Sequence, residues 1–380
     1  MGVARHRLLI LSAGMGAGHD AVAVELARRL AAAGHDAEVV DVLELLPLSL
    51  GRALRRSYGW MMRRAPWAYA LIYRVFFVPG GDRPMASTSP LTVPAAARLD
   101  RLVRRRAPDL VVSTFHLAAQ AAGHLRRRGR LPVPSTVLVT DFAAHRLWLH
   151  PGNDRYLCPC PETALDVTAA TGRPAACHAP LTSRGFGRPP ADAAAIRARL
   201  GVGPADRPVL VSAGSWGVGD VEEAAGVLAR CGRYMPVVLC GRNDALHDRL
   251  RDVEGVVALG WRDDLPELMA VAHALVDNAA GLTCREAFAA RLPVVSYRPI
   301  PGHGRDGVLA MARAGLSVHA DDATRLVAEL DRLGDPAARR RLITRAAALF
   351  DAPAAEDLLF GPYEAPVRGP DGSRPPGRTG

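Results

Sequence analysis

Along the chain, short apolar runs alternate with longer segments whose apolar residues recur at helical spacing. Leu8–Leu11 is the first run, GMGAGH follows it, and Ala21–Ala33 then reads as an amphipathic helix that Gly34 stops. Ala37–Val42 is the next strand, with Leu110–Ser113 and Thr136–Val139 as further apolar runs bounded by turns. Strands without polar alternation are covered on both faces, so the alternation predicts a parallel sheet between two helical layers.

From about Cys177 to Pro190 the pattern lapses into HAPLTSRGFGRPP, and then it restarts. Val209–Ser212 feeds the turn AGSWG and a helix over 220–231, followed by strands at Val237–Cys240, Val256–Leu259, Ala274–Val276 and Val294–Tyr297. Both halves therefore open with a buried strand, a glycine turn and a helix. The expectation is an α/β protein of two doubly wound domains, residues 1–180 and 181–360, followed by a disordered tail over 361–380 that has no apolar period.

The composition suits this picture. A chain of 380 residues, 49% hydrophobic and 23% charged, is long enough for two globular domains. Aromatics are only 5%, so Ala, Val and Leu must build most of the core. Six scattered Cys make no disulfide framework and point to a reducing compartment. Cys158, Cys160, Cys177 and His178 have the spacing of no standard zinc site, so no metal is expected. No apolar run approaches the roughly 18 to 20 residues that cross a bilayer. Arg5 and Arg7 before Leu8–Ser12 faintly imitate a signal peptide, but the apolar core is too short. A cytoplasmic protein is expected.

Charge changes the picture in one region. All 48 basic residues are Arg, and residues 51–130 hold 16 of them against three Asp. Between Tyr58 and Phe77 lie 7 of the chain's 20 aromatics. Arg is drawn to anionic headgroups while Trp and Tyr settle at the acyl boundary, so Arg55, Arg56, Trp60, Arg63, Arg64 and Trp67 are candidate membrane contacts. Two other readings stand beside it: a core helix with a solvated basic face, and nucleic-acid binding. No helix-turn-helix, zinc finger or RNP-type motif supports the last.

Three motifs offer chemistry. GMGAGHD, Gly14 to Asp20, lets a ligand approach the backbone at a helix N-terminus. Its third glycine comes too early for the dinucleotide fingerprint, although Asp41 ends the next strand where a ribose acid would stand. His19 on this turn is a candidate base. AGSWGVGD, Ala213 to Asp220, offers the Ser215 hydroxyl and backbone N–H groups to a diphosphate. In DNAAGLTCREAFAARLPVVSYRPIPGHGRD, Gly281 to Thr283 begins a helix whose first turn faces a phosphate, and Glu286 one turn on suits two ribose hydroxyls.

In order along the chain, GMGAGH, TDFAAHRLWLHPGNDRY, AGSWGVGD, Gly260–Trp261, NAAGLTCREA and RPIPGHGRD resemble the monogalactosyldiacylglycerol synthase and processive diacylglycerol glucosyltransferase group of glycosyltransferase family 28. The resemblance covers about residues 7–350. It implies a GT-B fold, with the acceptor site in the N-terminal domain and the nucleotide-sugar site mostly in the C-terminal one. It also implies an inverting, metal-independent transfer from a UDP-sugar to a membrane lipid such as diacylglycerol, with no cofactor, by a peripheral protein on the inner face of the cell membrane. The sequence itself has no D-x-D, the metal grip of the other major glycosyltransferase fold.

By position, the resemblance makes His19 the catalytic base, with Asp141 and His145 in the acceptor-side cleft. Ser215 and Thr283 would contact the diphosphate, Glu286 the ribose, and Trp261 and Arg262 would cover the base, with Gly18, Trp216 and Gly281 also in the nucleotide-sugar site. His303 and Arg305 would read the sugar. Two departures stand out: Ala280 where the family commonly has Gly, so that a methyl crowds the phosphate, and His303 for a frequent Gln. Two rival functions follow, a soluble transferase acting on a small metabolite and a non-catalytic UDP-sugar- or lipid-binding protein.

Overall fold

A computed structural model describes residues 5–77 and 89–361. The expected tail and the Arg-poor segment over 78–88 lie outside the described residues, apart from Gly361.

Strands β1 (Arg7–Ser12), β2 (Asp36–Asp41), β3 (Leu110–Ser113), β4 (Ser135–Leu138), β5 (Arg155–Cys158) and β6 (Ala175–Cys177) form one parallel sheet in the order β2-β1-β3-β4-β5-β6. A second parallel sheet takes β7 (Pro208–Ser212), β8 (Met235–Leu239), β9 (Val257–Leu259), β10 (Ala274–Asp277), β11 (Val294–Tyr297) and β12 (Val318–Ala320) in the order β12-β11-β10-β7-β8-β9. β1, β3, β7 and β10 are buried almost throughout, as sheets covered on both faces require. The strands expected from the apolar runs are present within one or two residues. Four-residue β5 and three-residue β6 and β12 are additional, being too short and mixed to show a pattern.

The strand orders place the chemistry. In each sheet the first strand is flanked on one side by the next strand in sequence and on the other by a later one. Connections then leave in opposite directions and open a crevice at the carboxyl ends. That switch point lies between β1 and β3 in the first sheet and between β7 and β10 in the second. Both glycine turns, GMGAGH and AGSWG, sit at these two points.

Residues 353–360, expected with the second half, cross back to the first sheet. Ala355 and Leu359 are buried with Leu8, Ile10 and Leu26. Ala179 N–H donates to Pro353 O at 2.9 Å, and the Phe360 ring stacks on His6.

Candidate active site

The turn after β1 is pinned from below. Gly14 N–H donates to Asp41 Oδ2 at 3.2 Å, and the same carboxylate accepts from Leu43 N–H and pairs with Arg55. Asp41 thus anchors the loop rather than offering a free ribose acid. Arg55 is correspondingly not a free surface cation, a correction to its expected membrane role. His19 stands in the first turn of the helix Ala17–Ala32. Its Nδ1 lies 3.1 Å from Thr114 O and 2.9 Å from Thr140 Oγ1. A carbonyl oxygen can only accept, so Nδ1 carries the proton and Nε2 keeps its lone pair. Burial lowers the pKa below that of free imidazole, against the raising effect of Asp141, so the ring is neutral near pH 7.

Asp141, in the turn after β4, accepts from Trp148 Nε1 at 2.7 Å and lies 3.5 Å from His145 Nε2. His145 is buried edge-on to Tyr73, Phe77 and His116, and burial holds its pKa well below the ordinary value. His116 is pushed down to about 3 by burial and by His19 and His303. Of these imidazoles, His19 alone has its tautomer set by a carbonyl.

From the second sheet, Ser215 Oγ accepts from Ala17 N–H at 3.2 Å and Trp216 Nε1 donates to Met15 O at 2.6 Å. The two glycine turns therefore meet across the cleft. Gly59 lets the helix Leu50–Arg64 approach the Trp216 ring, since a Cβ there would come within 2.6 Å of it. Trp261 and Arg262 line the cleft rim, Trp261 beneath the Arg242 guanidinium and Arg262 paired with Asp264.

The turn after β10 is folded by Asp277, whose Oδ2 accepts from Ala279 and Ala280 N–H at 2.9 and 2.6 Å. Ala280 has φ 53°, a left-handed conformation that favours glycine. Its methyl is buried and turned toward Gly307, where an added Cβ would come within 2.9 Å of it. The expectation that this methyl crowds the phosphate is not met, because Ala280 packs into the core and lies outside the cavity lining. Gly281 then begins the helix Leu282–Ala289, with Thr283 and Glu286 three residues apart on one face. Burial raises the Glu286 carboxyl to about 7 against the opposing Arg285 charge. Arg285 is a buried guanidinium that the sequence reading passed over; the letters CRE do not show that no acid reaches it.

His303 begins the helix His303–Arg313, and its Nδ1 lies 2.6 Å from the Tyr69 hydroxyl. Tyr73 donates to Asp306 Oδ2 at 2.8 Å. Both tyrosines come from the helix Pro66–Phe76, so half of the aromatic cluster expected at a membrane instead joins the domains. Other members of that cluster are exposed, Trp60 by 60% and Trp67 by 72%, together with the aliphatic Leu71 by 50% and Val75 by 59%. Arg56, Arg63 and Arg64 are exposed beside them. Arg305 is a further correction: it is exposed and lies outside the cavity lining, since helix periodicity turns it away from His303.

A cavity of about 950 Å³ separates the sheets. Gly18, His19, Asp141, His145, Ser215, Trp216, Trp261, Arg262, Gly281, Thr283, Glu286 and His303 all line it. On the first domain's side its wall is apolar, with Leu54, Met61, Ile72, Phe76 and Leu117. No group of three or more His, Cys, Asp or Glu placed to hold a metal occurs among the described residues. No helix among them is long and apolar enough to cross a membrane.

Comparison with known proteins agrees with the motifs. The family model of monogalactosyldiacylglycerol (MGDG) synthase matches residues 19–174. The processive diacylglycerol beta-glucosyltransferase of Bacillus licheniformis is 28% identical over 230 residues, 58% of this chain and 59% of that protein. Its Bacillus subtilis counterpart is 25% identical over 324 residues, 79% of each chain. The chain thus matches about three fifths of the length of the first of these relatives. Among solved structures, the spinosyn rhamnosyltransferase SpnG complexed with spinosyn aglycone superposes with TM-score 0.62 at 14% identity, over 93% of this chain and 98% of that one. The fold is GT-B, and in sequence the chain is similar to the monogalactosyldiacylglycerol synthase and processive diacylglycerol glucosyltransferase group.

Proposed function

We propose that the protein is an inverting glycosyltransferase that moves a sugar from a UDP-sugar to a hydroxyl of a membrane lipid such as diacylglycerol; the relatives' names give glucosyl transfer and diacylglycerol for them. The observation that carries this reading is the His19 tautomer. With Nδ1–H directed at Thr114 O, the unprotonated Nε2 belongs to a ring lining the cavity opposite the helix Leu282–Ala289. Nε2 takes the acceptor hydroxyl proton as the oxygen attacks the anomeric carbon in line; the bond from that carbon to the diphosphate breaks, and UDP leaves with its electron pair. Thr140 and Thr114 hold the ring, and the N-terminus of the Gly281-capped helix meets the charge developing on the diphosphate. Glu286 takes the ribose hydroxyls, Ser215 and Thr283 the diphosphate, and His303 the sugar.

The apolar wall from Ile72 and Phe76 to Leu117 suits an acyl chain, and it begins where Trp60 and Phe76 are exposed. This supports peripheral attachment to an anionic surface, on the inner face of the cell membrane where nucleotide sugars are made available. UDP release with diacylglycerol, read with mass spectrometry of the lipid product, tests the activity. His19→Ala should cut turnover by about two to four orders of magnitude, the span of a general base, while UDP affinity stays within a few-fold. Near-normal turnover in that variant removes His19 as base, and absence of any lipid product from the wild type removes the acceptor class.

A further inference from the structure

The helix Leu282–Ala289, which holds the proposed ribose carboxylate, also carries a charge that this reaction leaves without a partner. Arg285 is 5% exposed, and its Nε and Nη2 have no hydrogen-bond partner. It makes no ion pair among the described residues. The Phe142 ring lies 5.3 Å from its guanidinium carbon, and the residue lines the cavity. Thr283 and Glu286 share one face of the helix. Arg285 lies about 160° round the helix from Thr283 and about 100° from Glu286, on the side where Phe142 of the first domain packs. That face is turned to the first domain, where Asp141 is the carboxylate it feels and His19 and His178 are the imidazoles whose pKa it lowers.

A guanidinium cannot discharge by losing its proton at ordinary pH, and a buried charge without a counter-charge is costly. Its fork pairs in bidentate fashion with carboxylate or phosphate, geometry that a hydroxyl does not match. We propose that Arg285 is an anion subsite at the reacting end of the cleft, which takes a carboxylate or phosphate carried by the transferred sugar or by the acceptor headgroup. This rests on the glycosyltransferase reading and narrows its substrate class: a neutral sugar passing to a neutral glycerolipid would leave the guanidinium unpaired throughout. Placement on the face away from Thr283 and Glu286 separates this anion from the diphosphate of the nucleotide.

The test uses the full chain and Arg285→Gln, with UDP affinity by calorimetry and kcat/KM for three substrate pairs. These are UDP-glucose with diacylglycerol, UDP-glucuronate with diacylglycerol, and UDP-glucose with phosphatidate. The wild type should favour one of the two anionic pairs over the neutral pair by about ten- to a hundredfold, the span of bonds to a charged group. The favoured pair identifies whether sugar or acceptor brings the anion. Arg285→Gln should erase the preference while UDP affinity stays within a few-fold. Arg285→Met, which removes the buried charge outright, should melt no lower than the wild type when unliganded. A preference that survives in Arg285→Gln, a wild type that favours the neutral pair, or a lowered melting point for Arg285→Met overturns the subsite. UDP affinity falling with the preference assigns the guanidinium to the diphosphate and also overturns it. A wild type that binds no UDP overturns the nucleotide reading, and the subsite with it.

Discussion

At the scale of single residues, the site is governed by which protons burial permits. His19 is neutral and its proton is held at Nδ1 by Thr114, which leaves the Nε2 lone pair free for the proton uptake proposed above. Glu286 is the opposite case, since burial raises its carboxyl to about 7 and disfavours the charged form that would accept ribose hydroxyls. The folded chain then binds more protons than the unfolded one between the ordinary value and about 7. Glu286 therefore lowers the stability of the unliganded protein as pH rises through that window. UDP binding runs the other way and should strengthen as pH rises, by at most about tenfold per unit below the carboxyl's pKa. Glu286→Gln should bind UDP more weakly by about 1.5–3 kcal/mol at pH 8 and lose this part of the pH dependence. Calorimetry over about pH 6 to 8 checks both; a wild-type profile that parallels the variant's would place the nucleotide elsewhere. Ala280 shows how a departure in sequence is absorbed: the left-handed alanine keeps its methyl because Gly307 makes room for it.

At the scale of elements, the helices Leu50–Arg64 and Pro66–Phe76 each do two things. Residues 52, 56, 60 and 64 form an exposed row, as do 67, 71 and 75, while Met62, Tyr69 and Tyr73 turn inward onto Ile300. The exposed rows combine Arg with Trp67, Leu71 and Val75, a surface suited to lipid headgroups and the acyl boundary. At about 1 kcal/mol for each Arg near an anionic surface, replacing Arg52, Arg56, Arg64 and Arg74 with Gln should weaken liposome binding by up to about a thousandfold. Arg55 is left in place because it holds Asp41. High salt should remove the same share, because the Debye length is only about 3 Å near 1 M. The remainder should disappear on Trp67→Ser with Leu71→Ser. Wild-type protein that does not sediment with anionic vesicles at low salt would rule out this membrane-binding surface.

Across the whole molecule, the domains meet in a closed arrangement. Ala17 bonds to Ser215, Met15 to Trp216, Tyr69 to His303 and Tyr73 to Asp306. The chain also returns to its starting domain, where Leu359 is 1% exposed against residues more than 300 positions earlier. Leu359→Ala should therefore destabilise the N-terminal domain by about 2–5 kcal/mol, the usual cost of a core cavity. Denaturant unfolding followed through Trp148, buried within the first domain, would reveal it. An unchanged midpoint would mean that the returning segment contributes nothing to that core.

The pattern of the chain alone determined the two sheets. Four- and five-residue apolar runs between amphipathic helices leave few alternatives to parallel strands covered on both faces, and β1, β3, β7, β10 and β11 could be read directly. The glycine turns, and the positions of His19, Thr283 and Glu286 beside the cleft, were legible for a related reason, since a strand feeding a helix puts its turn residues at the carboxyl edge. What only the tertiary structure decided depends on partners far apart in sequence. Asp41 and Arg55 could not be recognised as mutually engaged, Tyr69 and Tyr73 as clamps on the first turn of a helix more than 230 residues away, or residues 353–360 as packed on the first sheet. The orientation of Ala280 and Arg305 and the isolation of Arg285 likewise escaped the sequence. Local periodicity tells which residues are buried, whereas side-chain pairing is set by the approach of separately folded surfaces, and that approach has no local pattern to record it.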